Sequence, residues 1–345
     1  MRYGEIMAVE LSHKMPDGRI RCDVCLRRCV LKDGQIGFCG VRKNEGGEIR
    51  LLAYGKVEAL NIDPIEKKPV LHAFPNSKIL SISTTGCNFA CQYCQNWDIS
   101  QRREISGTEM TPQEIVDMAV EYGCRGIAYT YNEPTIFLEY ARDIGVLARK
   151  KGLINIFVTN GYETPEAIEV LADFLDFATV DFKGNGNDEF YRRYISVNGA
   201  RPIFDTIKRM KEKGIHVEVT DLVVPQIGDN LEDAKNMVSN IKDISGEDTP
   251  VSFLRFHPDY KLLNLPETPL NTLKKHYDLA REMGMRYVYI GNVPGDDRQN
   301  TYCPNCGKAV VKRDIFSTLE LNLTADGKCK YCGYKIPIIL ESSSV

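Results

Sequence analysis

Residues 79–96 read ILSISTTGCNFACQYCQN, and this stretch decides the fold. Its first half is a short run rich in isoleucine, of the kind that forms a buried strand. Its second half presents Cys87, Cys91 and Cys94 at spacings of four and three residues. A loop of this length can surround an iron–sulfur cubane and reach three of its corners. Such clusters usually take four thiolates, so one iron would keep the open position that catalysis requires.

The regions that follow alternate short apolar runs with amphipathic stretches as far as about residue 292. Strands are predicted at residues 79–84, 127–131, 154–160, 177–183, 216–224 and 251–256. Amphipathic stretches between them predict helices, and a further helix precedes YVYIGN. Six strand–helix repeats need parallel strands with right-handed crossovers. We therefore predict an α/β fold, a partial (β/α)6 TIM-like barrel, with an open doubly wound sheet as the alternative.

Polar residues gather at the carboxyl ends of these strands, where both folds place their chemistry. They follow or end five of the six runs: Thr85 and Gly86, Asn132 and Glu133, Thr159 and Asn160, Asp181 and Lys183, and His257. An apolar strand that ends in a polar residue is typical of a site rather than of a core.

The motif CNFACQYC resembles the CxxxCxΦC pattern of the radical S-adenosylmethionine (SAM) superfamily, with Tyr93 at the aromatic position. The resemblance implies that a [4Fe–4S] cluster held by Cys87, Cys91 and Cys94 binds SAM at its open iron. One electron from the cluster then cleaves SAM to methionine and a 5′-deoxyadenosyl radical. A zinc knuckle is the bland alternative, but zinc knuckles usually pair their ligands as two CxxC arms.

Residues 79–260 are similar to the glycyl-radical-activating branch of that superfamily, typified by pyruvate formate-lyase activating enzyme. The TNG sequence at 159–161 and the DFK sequence at 181–183 match elements of the branch, whereas YNEP at 131–134 replaces its GGEP. Val158 replaces the aspartate that precedes TNG there. The resemblance implies SAM-binding roles for Tyr93, Asn96, Glu133, Asn160, Asp181, Lys183 and His257. It assigns no side chain a catalytic role.

Simpler structural roles stay open for four of these positions. Asp181 and Lys183 lie two apart on one strand and could pair with each other. Asn160 could belong to an ordinary turn, and His257 could be an ordinary hydrogen-bonded histidine.

Two further cysteine groups flank the predicted barrel. The C-terminal group has two CxxCG arms, which is the zinc-ribbon arrangement, with a rubredoxin-like iron as the alternative. For the N-terminal group, zinc is the first choice and a second iron–sulfur cluster is the rival. The two ligand sets are Cys303, Cys306, Cys329 and Cys332, and Cys22, Cys25, Cys29 and Cys39. We predict three domains: an N-terminal module (1–75), the core (76–295) and a C-terminal module (296–345).

This arrangement, with YNEPT, FHPDY and YIGN, resembles the radical SAM component of the AmmeMemoRadiSam system over nearly the whole chain. The resemblance implies MEMO-like and AMMECR1-like partner proteins, with ferredoxin or flavodoxin as the reductant. We expect hydrogen abstraction from an unidentified substrate, with glycyl-radical activation as the alternative. A non-catalytic zinc-binding module that contacts nucleic acid is the alternative from another class.

Composition narrows the setting. The 345 residues carry a net charge of −3, and the twelve cysteines fall in three groups that leave Cys124 alone, which indicates metal rather than disulfides. The start, MRYGEIMAVELSHKMP, lacks a secretory signal, and no uncharged apolar run approaches the length of a membrane span. We expect a cytoplasmic protein that does not bind membranes and whose default partner is not nucleic acid.

Overall fold

One eight-stranded sheet forms the centre of the protein. The structure, a computed structural model, describes residues 11–102 and 104–340. In chain order the strands of this sheet are β1 (Ala59–Pro64), β2 (Lys78–Ser83), β3 (Gly126–Tyr129), β4 (Ile154–Thr159), β5 (Phe177–Lys183), β6 (His216–Val223), β7 (Val251–Arg255) and β8 (Val288–Gly291). They lie in the sheet in the same order as in the chain. Strands β2 to β8 are parallel, and β1 pairs antiparallel with β2 at one edge.

Six helices connect the parallel strands. They are α1 (Pro112–Glu121), α2 (Leu138–Lys150), α3 (Pro165–Leu171), α4 (Arg201–Glu212), α5 (Leu231–Ser245) and α6 (Leu270–Glu282). Their starts follow from local chemistry: Thr111 and Glu114 form a capping box at α1, and Thr164 and Asn230 cap α3 and α5. Shorter helical turns lie at Ile65–Lys67, Trp97–Ser100, Pro134–Phe137, Gly184–Gly186, Asp188–Phe190, Tyr191–Ile195 and Asp297–Gln299.

The predicted α/β fold is confirmed as a partial barrel of six strand–helix units. The structure adds β8 after the sixth helix, so that seven strands run parallel, and it adds β1 at the opposite edge. Strand β8 lies within the YVYIGN sequence that follows α6, and β1 lies within the segment assigned to the N-terminal module. The three-domain division itself stays a prediction.

The segment between β1 and β2 fills the amino-terminal half of the barrel interior. The Glu218 carboxylate on β6 accepts hydrogen bonds from the backbone N–H groups of Leu71 and His72, at 2.9 and 2.8 Å. On β5 the Thr179 hydroxyl donates to the carbonyl of Pro69 at 2.9 Å. Both contacts lie near the strand starts, so the space that remains opens at the carboxyl ends.

The N-terminal module consists of short strands around its cysteines. Ser12–Lys14, Ile20–Cys22 and Val30–Leu31 form one sheet, and Arg42–Glu45 pairs with Glu48–Leu51. Lys56–Val57 pairs with Thr108–Glu109, which ties the module to the core. Residues 1–10 lie outside the described residues, and they include most of the stretch MRYGEIMAVELSHKMP on which the expected lack of a secretory signal rests. No helix within the described ranges is long and apolar enough to cross a membrane.

The C-terminal module is a three-stranded antiparallel sheet that follows β8. Its strands are Thr301–Tyr302, Ala309–Asp314 and Ser317–Leu321. The buried Arg313 guanidinium reaches the carbonyl of Leu71 in the barrel interior at 2.8 Å. Ile339 exchanges backbone hydrogen bonds with His72 and Phe74. The module therefore packs against the end of the barrel interior as well as against β8.

Candidate active site

The loop after β2 is held from outside by backbone hydrogen bonds. The N–H groups of Ala90 and Gln92 donate to the carbonyls of Ile195 and Tyr194, at 3.0 and 2.9 Å. The N–H group of Gly86 donates to Ile99 at 2.8 Å. These contacts fix the positions of the three cysteines between them, so the thiols are preorganised by the surrounding chain.

The three thiols face one cavity of about 460 Å³ at the carboxyl ends of the strands. Within the loop, the N–H of Phe89 donates to the Cys87 sulfur at 3.3 Å, and Cys94 Sγ lies 3.1 Å from Ser100 Oγ. The described residues that line the cavity include no fourth cysteine. The cavity also brings together all seven side chains predicted to bind SAM: Tyr93, Asn96, Glu133, Asn160, Asp181, Lys183 and His257. Their roles toward SAM stay predictions.

Glu133 and Glu163 form a buried pair of carboxyls between the ends of β3 and β4. The hydroxyls of Thr135 and Thr159 each lie within hydrogen-bond reach of both carboxyls. A hydroxyl has one proton, so each threonine can donate to only one carboxyl at a time. Burial raises the pKa of both glutamates, and repulsion from Glu163 adds to the rise at Glu133. The arrangement favours one proton held between the two.

One oxygen of the Glu133 carboxylate, Oε2, can still accept a further hydrogen bond. Glu133 Oε2 accepts the backbone N–H of Asn160 at 2.8 Å, whereas Oε1 accepts from Thr135 and Thr159. A carboxylate oxygen has room for a second donor. Glu133 thus joins the ends of two strands, lines the cavity, and keeps one oxygen with room for a further donor.

Asn132 is an acceptor that the sequence reasoning did not assign. Its Nδ2 donates to the carbonyl of Gly86 at 2.9 Å, at the start of the cysteine loop. Its Oδ1 is buried and has no hydrogen-bond partner among the described residues, and the side chain lines the cavity. A buried acceptor without a partner is costly unless a ligand supplies the donor.

The preceding residue, Tyr131, takes a backbone conformation that glycine adopts more easily. Its φ is 67°, in the left-handed region that disfavours a bulky residue. Asn96 Nδ2 holds the carbonyl of Tyr131 at 2.8 Å, and the tyrosine hydroxyl donates to Asp63. Tyr131 is therefore held in a conformation that favours glycine, with its carbonyl and its hydroxyl both fixed by partners.

Two other predicted residues, Asn160 and Tyr93, pack against or hold the cysteine loop. Asn160 Nδ2 donates to Asn88 Oδ1 at 2.6 Å, next to Cys87. Tyr93 is buried, and its ring centroid lies 5.8 Å from that of Phe190. Asn160 is thus more than an ordinary turn residue, because its side chain ties β4 to the cysteine loop.

The simpler structural roles describe part of what Asp181, Lys183 and His257 do. Lys183 Nζ lies 3.7 Å from Asp181, so the two do pair, and Asp181 also accepts from the Thr220 hydroxyl. His257 is 57% exposed at the rim of the cavity, with Nδ1 3.0 Å from Asp259. Both arrangements leave the side chains on the wall of the cavity.

A buried lysine forms part of the cavity lining and was missed in the sequence. Lys68 Nζ donates to Asp63 at 2.6 Å and is almost fully buried. Burial lowers the pKa of Lys68 to about 8, while Asp63 partly offsets the fall. The sequence EKKP carries no periodic signal for burial, since only the docking of this segment inside the barrel brings the lysine there.

Comparison with known proteins decides the family. The model of the radical SAM superfamily matches residues 81–241. An uncharacterized protein of Methanocaldococcus jannaschii, MJ0808, is 46% identical over 330 residues, which are 95% of this chain and 98% of that protein. The chain belongs to the radical SAM superfamily.

Two more distant relatives agree with this assignment. Pyruvate formate-lyase-activating enzyme of Clostridium pasteurianum is 25% identical over 193 residues, covering 52% of this chain and 77% of that enzyme. The fold is similar to a radical SAM methyltransferase from Sphaerobacter thermophilus, with a TM-score of 0.50 and 14% identity over 64% of this chain and 68% of that one. The chain is therefore a radical SAM enzyme, and the non-catalytic alternative is set aside.

The residues present fit the cofactors of this superfamily. Three thiols from one loop leave one corner of a [4Fe–4S] cluster without a protein thiolate. Asn132 Oδ1 and Glu133 Oε2 are acceptors on the same cavity, suited to an ammonium group. The donor set would thus leave one iron of the cluster open and would offer acceptors for the amino group of SAM.

The C-terminal cysteines form a compact metal site. The sulfurs of Cys303, Cys306, Cys329 and Cys332 all lie within 4.8 Å of one another. Two pairs, 303 with 332 and 306 with 329, are 3.6 and 3.8 Å apart. Four sulfurs about 2.3 Å from one tetrahedral ion would be separated by about 3.8 Å. Gly307 and Gly333 have φ values of 71° and 75°, as expected for the turns of the two CxxCG arms.

Proposed function

We propose that this enzyme uses Asn132 and Glu133 to receive the amino group of SAM and abstracts hydrogen from a substrate at the mouth of the cavity. The observation that carries the proposal is the sharing of one cavity by three loop thiols and an unpartnered acceptor. In this superfamily the cluster supplies the electron that cleaves SAM to the 5′-deoxyadenosyl radical. The chain's own residues bind SAM, orient it and limit the access of water.

The size of the cavity bears on the substrate. A volume of about 460 Å³ is in the lower part of the range for sites that enclose one ligand, roughly 300 to 1,000 Å³. The cluster and SAM would share this space, so we expect only a small reactive part of the substrate to enter. Arg313, Ile315 and Phe316 of the C-terminal module line the same cavity. The module therefore contributes to substrate selection.

The replacement of GGEP by YNEP favours a substrate other than a glycyl-radical enzyme. Asn132 fills space that a glycine would leave open, and Tyr131 is fixed by Asp63 and Asn96.

We further propose zinc in the C-terminal site, because its sulfur separations fit one tetrahedral ion. We also propose that the chain belongs to the AmmeMemoRadiSam system and acts with MEMO-like and AMMECR1-like proteins. Its electron donor would be a ferredoxin or a flavodoxin, and its location the cytoplasm.

The test is anaerobic reduction with dithionite in the presence of SAM, followed by chromatography of 5′-deoxyadenosine. We expect product from the native enzyme and none above background from Cys91→Ala, because that variant loses a cluster ligand. Cys124→Ala is the matched control, since Cys124 is buried two residues before β3 and lines neither the active-site cavity nor the cavity of the N-terminal cysteines. Absence of product from native enzyme with an intact cluster would overturn the proposal, and so would equal product from Cys91→Ala.

A further inference from the structure

The four N-terminal cysteines surround a second cavity that the reaction above does not use. Cys22, Cys25, Cys29 and Cys39 line it, together with Arg27, Arg42 and Asn88 among others. We propose that these four cysteines hold a second [4Fe–4S] cluster, with one cysteine on each of its irons. This inference is independent of the substrate and of the SAM-binding roles proposed above.

The separation of the sulfur atoms argues against a single zinc ion. The four C-terminal sulfurs all lie within 4.8 Å of one another. Among the described residues no other cysteine group is that compact, so at least one pair of the N-terminal sulfurs lies farther apart. One tetrahedral ion needs its sulfurs about 3.8 Å apart. The thiolates on a cubane stand farther apart, because the iron and sulfide atoms of the cluster lie between them.

The chain provides its own comparison. Cys87, Cys91 and Cys94 lie in the part of the chain that matches the radical SAM superfamily, whose members bind a cluster there. Their sulfurs likewise do not all lie within 4.8 Å of one another. The N-terminal group thus resembles the cluster loop in spacing and differs from the C-terminal group. Charge does not discriminate, because zinc and an oxidised cubane give the same net charge with four thiolates. Spacing carries the assignment.

The second site lies directly against the cluster loop. Arg27 donates to the carbonyl of Asn88, which follows Cys87, and to the carbonyl of Ser196 at 2.8 Å. Gly86 approaches the module so closely that an added Cβ would lie 2.2 Å from the carbonyl oxygen of Cys39. Since all four irons would have protein thiolates, the second cluster could exchange electrons but could not chelate SAM.

Metal analysis of the full chain, purified and reconstituted without oxygen, tests the inference. We expect about eight irons and one zinc for each chain, which is two [4Fe–4S] clusters and the C-terminal ion. About four irons with two zincs would overturn the inference and leave the proposed function intact. About five or six irons would also overturn it, because they indicate a single iron or a [2Fe–2S] cluster. Three zincs without iron would overturn both.

A variant isolates the second cluster. Replacing Cys87, Cys91 and Cys94 with alanine should leave about four irons and the visible and electron paramagnetic resonance spectra of one [4Fe–4S] cluster. Adding Cys29→Ser should abolish that remaining signal, whereas adding Cys306→Ser should remove zinc and leave the iron. A triple variant that is soluble and contains zinc in place of iron would refute the proposal. If the triple variant does not fold, the metal content of the native chain decides.

Discussion

Among single residues, Asn132 gives a testable prediction about the affinity for SAM. Asn132→Ala should weaken SAM binding roughly tenfold or more, because a hydrogen bond to a charged group contributes about 1.5 to 3 kcal/mol. Isothermal titration of the reconstituted, oxidised protein with SAM measures the affinity. Asn132→Asp, which keeps an acceptor oxygen, should retain more of it. Unchanged affinity in the alanine variant with full iron content would contradict the role.

At this scale, the sequence was informative where chemistry depends on local spacing. The three loop cysteines and the two CxxCG arms could be recognised because their ligands lie a few residues apart. It was uninformative where a role depends on distant contacts. Glu163 joins Glu133 only because Thr135 and Thr159 bring two strand ends together, and Lys68 is buried only because its segment enters the barrel.

At the scale of elements, the Glu133–Glu163 pair links the ends of β3 and β4. A carboxyl whose pKa is higher in the folded than in the unfolded protein holds its proton more tightly when folded. Its contribution to stability is therefore full below about pH 4.5 and is lost as the pH rises toward about 7, the pKa of Glu133. We expect the free energy of unfolding to fall across this window.

Glu163→Gln tests this expectation, since it removes one of the two carboxyls. The decrease in stability between about pH 4.5 and 7 should shrink by on the order of 1 to 2 kcal/mol relative to the native protein. Denaturant unfolding of the reconstituted protein at several pH values measures it. An identical pH dependence in the variant would show that the two carboxyls do not share a proton.

The elements themselves were largely predictable. Predicted strands 154–160 and 177–183 correspond to β4 (Ile154–Thr159) and β5 (Phe177–Lys183), because both are short runs rich in β-branched and aromatic residues and are largely buried. The segment 65–77 was not predictable as a filling of the barrel. It has no periodic pattern, and it is held by Glu218 and Thr179, which are more than a hundred residues away in the chain.

At the scale of the whole molecule, the C-terminal module is a wall of the active site as well as a metal site. Cys306→Ala should lose one zinc for each chain, because three thiolates hold the ion less tightly than four. The melting temperature should fall, and SAM cleavage should decrease in parallel, since Ile315 and Phe316 line the cavity. Calorimetry and product analysis measure both. Full activity at normal iron content would contradict this role of the module.

The central claim is that the iron left open by Cys87, Cys91 and Cys94 binds SAM directly. Electron–nuclear double resonance of the reduced protein with SAM labelled at its amino nitrogen and carboxylate carbon tests it. The measurement is cleanest in a variant that also carries Cys29→Ser, which removes the proposed second cluster. We expect hyperfine coupling from both labels to the cluster. A reduced cluster that shows no coupling to either label would contradict it.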